Sequence, residues 1–391
     1  MRVVIRCAPV LIGAVFLSGC GPQDSAPGGG YLPTGNAGTN PAGGVSGGGG
    51  NSACGGVMAG GISGGGETTM GGQNSGGMGG SPAGGAGAAP SGGGGAGGAG
   101  GPKPTTGCGK DPGQALGPWQ VYTVPLDGQT LGNPHQHTER EIFVRLPQDY
   151  DPMTPYRIVY IGVGCSAPDG ASAAYPLWEQ GQGGDPQAIY VAMSLPDPST
   201  NNNCYDNRAG VNSIEWESLD HDHAFVSDRF CIDNDKVFMG GYSSGSWIAN
   251  MFSCYFGGIP NPPRKFLPNV ALRGVMSVAG CWIEGNPPCN GPVGGLWIHD
   301  EGDTVPNAYA CAQEQRDRLL MQNGCTGGAD GPTEEWGGDF FNAGTCLKYT
   351  ACPAEYPVIF CSTTGRGHGS QNDNAVAGFS QFASDIEAAA P

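Results

Sequence analysis

Residues Asp235–Phe256, DKVFMGGYSSGSWIANMFSCYF, are the stretch that decides the fold. Lys236–Met239 is a short, largely apolar run that predicts a buried strand. It leads into Gly241-Tyr242-Ser243-Ser244-Gly245, a turn of the form G-x-S-x-G. Beyond the turn, apolar side chains recur at helical spacing, at Trp247, Ile248, Met251, Phe252, Tyr255 and Phe256. A strand, a sharp turn and a helix in this order lift one serine hydroxyl out of a sheet. We therefore expect Ser243 to be a nucleophile.

The pattern around Ser243 also occurs twice by chance. Ser46 and Ser63 lie in G-x-S-x-G matches, but both are in low-complexity sequence with no strand before them and no helix after them. Only Ser243 has the flanking elements that the chemistry needs. The alternative for Ser243 is an ordinary strand-to-helix turn in an α/β protein.

The first 107 residues predict an export signal followed by a linker. Residues 1–20 combine Arg2 and Arg6 with an apolar run too short to span a bilayer, which is typical of a signal peptide. The run ends in Leu-Ser-Gly-Cys20, which resembles a bacterial lipobox and makes Cys20 a candidate lipid anchor; a soluble secreted protein is the alternative. Residues 21–107 hold 37 of the chain's 74 glycines, a composition that predicts a disordered linker.

Residues 108–391 have the composition of one globular domain. Three basic and two acidic residues precede Cys108, so 14 Lys and Arg face 32 Asp and Glu in the domain, a formal net charge of −18. This sign argues against a nucleic-acid partner. Twelve of the fifteen cysteines lie here, and an even number behind an export signal predicts up to six disulfides of undetermined pairing. No C-x-x-C pair occurs, so we expect no metal site, and we expect no cofactor.

Strand and helix patterns alternate through the domain. The predicted strands are 140–146, 157–163, 188–193, 236–239, 275–279, 296–299 and 358–361, and the predicted helices are 214–230, 246–256, 307–322 and 375–389. Alternation of this kind predicts an α/β protein with a mostly parallel sheet and helices on both faces. Its site is expected at the carboxyl ends of the strands.

A serine nucleophile needs a base, and the base needs an acid to orient it. In this kind of fold the partners follow the serine in the order acid, then histidine. Only His299 and His368 come after Ser243, and His368 lies in a glycine-rich loop after the last strand, so we expect it to be the base. His299 is expected to be a structural residue at a strand end. Asp303 is the predicted acid and Asp300 the runner-up.

Two backbone N–H groups are expected to bind the oxyanion. The residue after the nucleophile, Ser244, supplies one, and the loop after an early strand supplies the other. Val163-Gly164-Cys165 is that loop, with the Cys165 N–H as the predicted donor. Two other histidine groups, His135 with His137 and the run 220–223, are weaker metal candidates; for the run we expect a solvated helix surface.

From Glu139 onward the chain resembles a family of secreted α/β-hydrolase esterases that includes feruloyl esterases, acetyl-xylan esterases and poly(3-hydroxybutyrate) depolymerases. The resemblance rests on seven landmarks in order: REIFVRLPQDYDP, YRIVYIGVGC, FCIDNDKVFMGGYSSG, LWIHDEGDTVP, QNGC, CLKYTACPAEYPVIFC and GRGHG. It implies an α/β-hydrolase fold and a triad of Ser243, Asp303 and His368, the residues already chosen from chain order.

The chain departs from the family pattern at three places. Val163 stands where relatives carry His, Asp300 and Glu301 interrupt the usual His-Gly of the acid stretch, and Gly369-Ser370 replace an aromatic residue and Pro after the base. No triad member is lost, and the oxyanion donor is a backbone group, so the expected differences concern the substrate pocket.

These patterns predict an exported serine esterase acting on extracellular esters, with feruloyl or acetyl esters of plant polysaccharide as the leading substrates. A polyester depolymerase and an inactive carbohydrate-binding module on the same fold are the alternatives. A peptidase or an acyltransferase would use the same triad. Contact with a membrane is expected only through a lipid at Cys20.

Overall fold

The computed structural model describes residues 103–126, 138–165, 187–195, 204–205, 214–257, 267–281, 289–305, 308–338, 341, 344–369 and 371–389. The chain divides into two units, residues 1–88 and 89–391, and every described residue belongs to the second. The predicted signal, most of the linker, and His135 and His137 lie outside the described residues. No helix in the described part has the length and apolarity to cross a membrane.

A ten-stranded sheet forms the centre of the described unit. The strands are β1 (Trp119–Pro125), β2 (Glu139–Arg145), β3 (Tyr156–Gly162), β4 (Ala188–Met193), β5 (Ile232–Tyr242), β6 (Leu272–Val278), β7 (Gly294–Asp300), β8 (Thr333–Trp336), β9 (Gly344–Tyr349) and β10 (Val358–Thr363). Their order across the sheet is β1-β2-β4-β3-β5-β6-β7-β10-β9-β8. The six strands from β4 to β10 run parallel, while β1, β2, β9 and β8 pair antiparallel at the two sides.

Among the described residues, four α-helices cover the sheet: α1 (Ile214–Ser227), α2 (Ser244–Phe256), α3 (Ala308–Gln322) and α4 (Asn372–Ala389). On α2, Asn250 bonds Trp297 of β7. On α4, Phe382 lies against Gly274 of β6 and Gly294 of β7. Because successive strand residues face opposite sides of a sheet, α2 and α4 cover opposite faces. The predicted α/β-hydrolase class is therefore confirmed by a mostly parallel sheet with helices on both faces.

Burial of the parallel strands explains why they could be predicted from the sequence. β3 and β7 are buried along their whole length, as expected for strands covered on both faces. All seven predicted strands are present, with ends shifted by a few residues; β5 is the largest change, since it extends over 232–242. The strands β1, β8 and β9 were not predicted, because they are largely exposed strands at the sides of the sheet and lack a continuous apolar run.

The cysteines of the domain form six disulfides. The pairs are Cys108–Cys231, Cys165–Cys204, Cys254–Cys289, Cys281–Cys311, Cys325–Cys352 and Cys346–Cys361. The predicted number is confirmed, and the pairing that the sequence left open is now assigned. Cys165, at the predicted oxyanion loop, is one of the bonded residues.

The prediction for residues 220–223 was wrong in part, because this run does not lie on a solvated helix surface. Asp222 and His223 are buried in α1. Asp222 lies 3.5 Å from the guanidinium of Arg140, and His223 contacts the Tyr160 hydroxyl at 2.8 Å and Asn234 at 3.0 Å. The prediction from sequence failed here because α1 directs polar side chains into the protein. The positive charge of Arg140 on β2 compensates the buried charge of Asp222.

Candidate active site

Ser243 lies at a sharp turn between β5 and α2. Its backbone has φ 53° and ψ −115°, a conformation that L residues rarely adopt. Three glycines allow the turn: a Cβ placed on Gly162 would lie 2.6 Å from the Cα of Gly245, and Gly241 faces the same backbone equally closely. The first turn of α2 therefore packs directly against the ends of β3 and β5.

The serines that follow Ser243 fix this turn in place. The Ser244 hydroxyl donates to the Val163 carbonyl at 2.9 Å, which ties α2 to the end of β3. Ser246 Oγ accepts from the Val278 N–H at 2.9 Å and lies 2.7 Å from the Gly241 carbonyl, so it links β5 and β6. Both side chains are buried. The strained backbone is thus held by hydrogen bonds from both neighbouring strands.

The structure brings Ser243, His368 and Asp303 into one chain of hydrogen bonds. Nε2 of His368 lies 3.0 Å from Ser243 Oγ, and Nδ1 of the same ring lies 2.9 Å from Asp303 Oδ2. With the carboxylate accepting from Nδ1–H, Nε2 is left free to accept the serine proton. The Asp303 side chain is fully buried while the His368 side chain is 23% exposed, so the imidazole stands between a desolvated acid and an accessible serine.

Asp300, the runner-up for the acid, has a different position. Its Oδ2 accepts from the Arg366 N–H at 2.7 Å and from the Thr363 hydroxyl at 3.2 Å, and its Oδ1 accepts from the Gly302 N–H at 2.9 Å. Burial acts to raise the pKa of this carboxyl, but these donors together with the Gly367 N–H outweigh burial and lower it. Asp300 therefore joins the loop that carries Asp303 to the loop that carries His368.

Tyr242, the residue before Ser243, contacts His368 from the other side. Its hydroxyl donates to the His368 carbonyl at 2.9 Å, and the two rings lie 5.5 Å apart. Burial raises the pKa of this phenol, and the negative charge of Asp303 raises it further. The hydroxyl therefore stays protonated and remains a donor at neutral pH. The glycine-rich loop 365–369 is therefore anchored at Asp300 and at Tyr242.

His299 does not join the hydrogen-bond chain. It is fully buried at the end of β7, stacks on Phe360, and has Nε2 3.5 Å from Ser277 Oγ. Burial, and then the charge of His368, lower its pKa to about 3, so it is neutral at physiological pH. These contacts agree with the structural role expected from its place at a strand end.

The predicted oxyanion segment lies beside Ser243. A Cβ placed on Gly164 would be 3.6 Å from Ser243 Cβ and 3.1 Å from the Tyr242 ring, so only glycine fits without displacing the ring. Cys165 follows and is bonded to Cys204, and Ser244 is buried at the start of α2. The structure thus places Gly164, the residue before Cys165, against Ser243, and Ser244 follows Ser243 directly.

The sequence predicted roles for Ser243, Asp303 and His368, and the structure joins these three residues by hydrogen bonds. The sequence did not predict that Asp300 and Tyr242 support the loop that carries His368. Their partners are distant in the chain, as with the 126 residues between Tyr242 and His368. No local pattern marks such contacts. Ser243, Asp303 and His368, in contrast, could be chosen from their order along the chain.

The chain is similar in sequence to two known proteins. No family model matches the chain. It is 27% identical over 280 residues to "Feruloyl esterase D" of Neurospora crassa, which covers 69% of this chain and 84% of the relative. It is 25% identical over 228 residues to "Probable feruloyl esterase C" of Aspergillus niger, covering 56% of this chain and 69% of the relative. Among solved structures, the acetyl xylan esterase from Aspergillus awamori aligns with a TM-score of 0.46 and 13% identity, over 66% of this chain and 99% of that one.

Proposed function

We propose that the protein is a serine carboxylic ester hydrolase in which Ser243, His368 and Asp303 form the catalytic triad. The observation that carries the proposal is the hydrogen-bond chain Ser243 Oγ–His368–Asp303, with contacts of 3.0 Å and 2.9 Å. The two sequence relatives, both named as feruloyl esterases, support ester hydrolysis.

In this mechanism Ser243 Oγ attacks the ester carbonyl carbon while His368 Nε2 takes the hydroxyl proton. The negative oxygen of the tetrahedral intermediate accepts hydrogen bonds from the Ser244 and Cys165 N–H groups. His368 then gives its proton to the leaving alcohol, and an acyl-enzyme remains. Water, deprotonated by His368, attacks the acyl carbon and releases the acid with free Ser243. Asp303 keeps the proton on Nδ1 and stabilises the imidazolium in both steps.

The proposed substrates are feruloyl or acetyl esters of plant polysaccharide. The names of the relatives favour this class over the polyester alternative. The experiment is a substrate panel of methyl ferulate, acetylated xylan and poly(3-hydroxybutyrate), measured with the purified protein and its Ser243→Ala variant. We expect hydrolysis of a feruloyl or acetyl ester that the variant loses. Equal activity in both proteins would reject the enzyme, and binding to polysaccharide without turnover would favour the inactive binding module.

We further propose that the protein is exported and anchored by a lipid at Cys20. Six disulfides support an oxidising compartment, and the lipobox-like sequence motivates the anchor. The test is fractionation of cells expressing the wild type or Cys20→Ser. The proposal expects the wild type in the membrane fraction and the variant in the soluble fraction. A soluble wild type would reject the anchor.

A further inference from the structure

We infer that Tyr205 is a positioning residue for the oxyanion hole, and that its buried hydroxyl fixes the strand end which presents the Cys165 N–H. The inference rests on the proposed function, since it concerns how the same site stabilises its transition state. It assigns a role to a side chain that never reaches the reacting atoms.

The Tyr205 hydroxyl joins the ends of two neighbouring parallel strands. It accepts from the Val163 N–H at 3.2 Å and donates to the Met193 carbonyl at 2.5 Å. Gly162 and Met193 are partners in the β3–β4 register, so this hydroxyl bridges the two strands where their own pairing ends. The side chain is fully buried, and no water is needed to satisfy the Val163 N–H.

The segment after β3 is held at two further points. The Val163 carbonyl accepts from the Ser244 hydroxyl at 2.9 Å, and Cys165 is bonded to Cys204, the residue just before Tyr205. The peptide units on both sides of Val163 are thus held by hydrogen bonds. Only Gly164 lies between Val163 and the disulfide-bonded Cys165, so the orientation of the Cys165 N–H depends on the position of Val163. Tyr205 and Cys204 thus hold this segment from outside the turn at Ser243.

A buried charge cluster fixes Tyr205 in turn. Arg140 of β2 hydrogen-bonds the Tyr205 side chain. The guanidinium lies 3.4 Å from Glu215 and 3.5 Å from Asp222, both on α1, and all three side chains are buried. Burial raises the pKa of Asp222 to about 6 against the opposing effect of Arg140. An aromatic ring packed among these groups has one orientation available, so the hydroxyl is preorganised.

Loss of this hydroxyl should affect the transition state more than substrate binding. An oxyanion donor is effective only within about 2.7–3.1 Å of the developing charge, and removal of such a donor costs on the order of 10²–10³-fold in kcat. Tyr205→Phe leaves the donor in place but releases its support, so we expect a fall in kcat of about tenfold or more, with KM little changed. Affinity for a boronic acid, whose tetrahedral adduct occupies the same hole, should fall with kcat.

The matched control is Tyr160→Phe. Tyr160 is a buried tyrosine of β3 whose hydroxyl contacts His223 at 2.8 Å, away from the oxyanion segment. Each variant removes one buried hydroxyl, so both lose stability, yet only Tyr205→Phe should lose kcat. Ser244→Ala releases the Val163 carbonyl and keeps the Ser244 N–H. It should reproduce the kcat effect, and it decides the matter if Tyr205→Phe does not fold.

The experiment measures kcat and KM with 4-nitrophenyl acetate, and the inhibition constant of phenylboronic acid, for the wild type and the three variants. Lower kcat and weaker boronate inhibition in Tyr205→Phe, with Tyr160→Phe unchanged, support the inference. If Tyr205→Phe does not fold, Ser244→Ala takes its place, and an unchanged kcat in that variant overturns the inference. An active wild type with Tyr205→Phe equal to Tyr160→Phe overturns it and leaves the proposed function intact. A wild type that neither hydrolyses the ester nor reacts with a fluorophosphonate overturns both.

Discussion

At the scale of single residues, Ser243 shows what the proposed chemistry demands of the backbone. Its φ of 53° is unusual for a residue with a side chain, and such conformations cost on the order of 1–3 kcal/mol. The hydrogen bonds of Ser244 and Ser246 to neighbouring strands keep it in place. The turn is recognisable in the sequence as G-x-S-x-G. The pattern alone does not predict the strained backbone, since it also occurs twice by chance, at Ser46 and Ser63.

This strain predicts an order of stability between two inactive variants. Ser243→Gly should unfold at a higher temperature than Ser243→Ala, by about 1 kcal/mol in free energy, because glycine adopts positive φ without steric cost. Thermal unfolding of both variants measures the difference. Equal stabilities, or a less stable Ser243→Gly, would contradict the strained conformation.

The two aspartates of one loop predict opposite patterns of loss. Asp303→Asn should lower kcat by about 10³–10⁴-fold with little change in stability, since it removes the acceptor that holds the histidine tautomer. Asp300→Asn should lower stability by roughly 1–3 kcal/mol, because its amide cannot accept from donors on both sides. Each variant is the control for the other, with kcat and unfolding free energy measured for both. A larger kcat loss in Asp300→Asn would reverse the assignment of the acid.

At the scale of elements, the site depends on a close contact between the first turn of helix α2 and strands β3 and β5, which glycine residues make possible. Gly162, Gly241 and Gly245 meet backbone to backbone, so the first turn of α2 reaches the strand ends without side chains between them. The sequence predicted the buried parallel strands well, since long apolar runs mark them. It failed for β1, β8 and β9, where exposed, partly charged strands gain stability from their neighbours rather than from their own apolar content.

The glycine crossing predicts that one methyl group disturbs the site. Gly245→Ala would place a Cβ inside contact distance of the Gly162 backbone, which cannot move out of a central strand. We expect a loss of stability of about 1–3 kcal/mol or more from overpacking, together with loss of activity. Ser253→Ala in the same helix adds no atom and is the control. A Gly245→Ala protein as stable and active as the wild type would mean that α2 does not cross at this point.

At the scale of the whole molecule, buried titrating groups make stability depend on pH. Burial lowers the pKa of His299 to about 3 and that of His223 to about 4, while it raises the pKa of Asp222 to about 6. The unfolded histidines take up protons below their ordinary pKa of about 6.5 and the folded ones do not, so their contribution is lost as pH falls. For Asp222 the folded state holds the proton up to about pH 6, so its contribution to stability is lost as pH rises from the ordinary pKa of the group to about 6.

The two histidines and the aspartate change the unfolding free energy with pH in opposite directions, so the net slope is that of one titrating group. We expect the unfolding free energy to rise between about pH 5 and 6, by roughly 1.4 kcal/mol per pH unit. His299→Asn removes one histidine and should flatten the curve, whereas Asp222→Asn should steepen it. Denaturant unfolding at several pH values measures the slopes. A slope in His299→Asn as steep as in the wild type would show that this buried histidine titrates normally.

The central claim is that Ser243 is a nucleophile activated by His368, and covalent labelling tests it most directly. The purified protein is treated with a fluorophosphonate, and the modified residue is located by mass spectrometry. We expect one equivalent of label on Ser243, none in Ser243→Ala, and slow labelling in His368→Ala, with loss of ester hydrolysis in step with labelling. Ester hydrolysis that survives in Ser243→Ala, or label on any other residue, would contradict it.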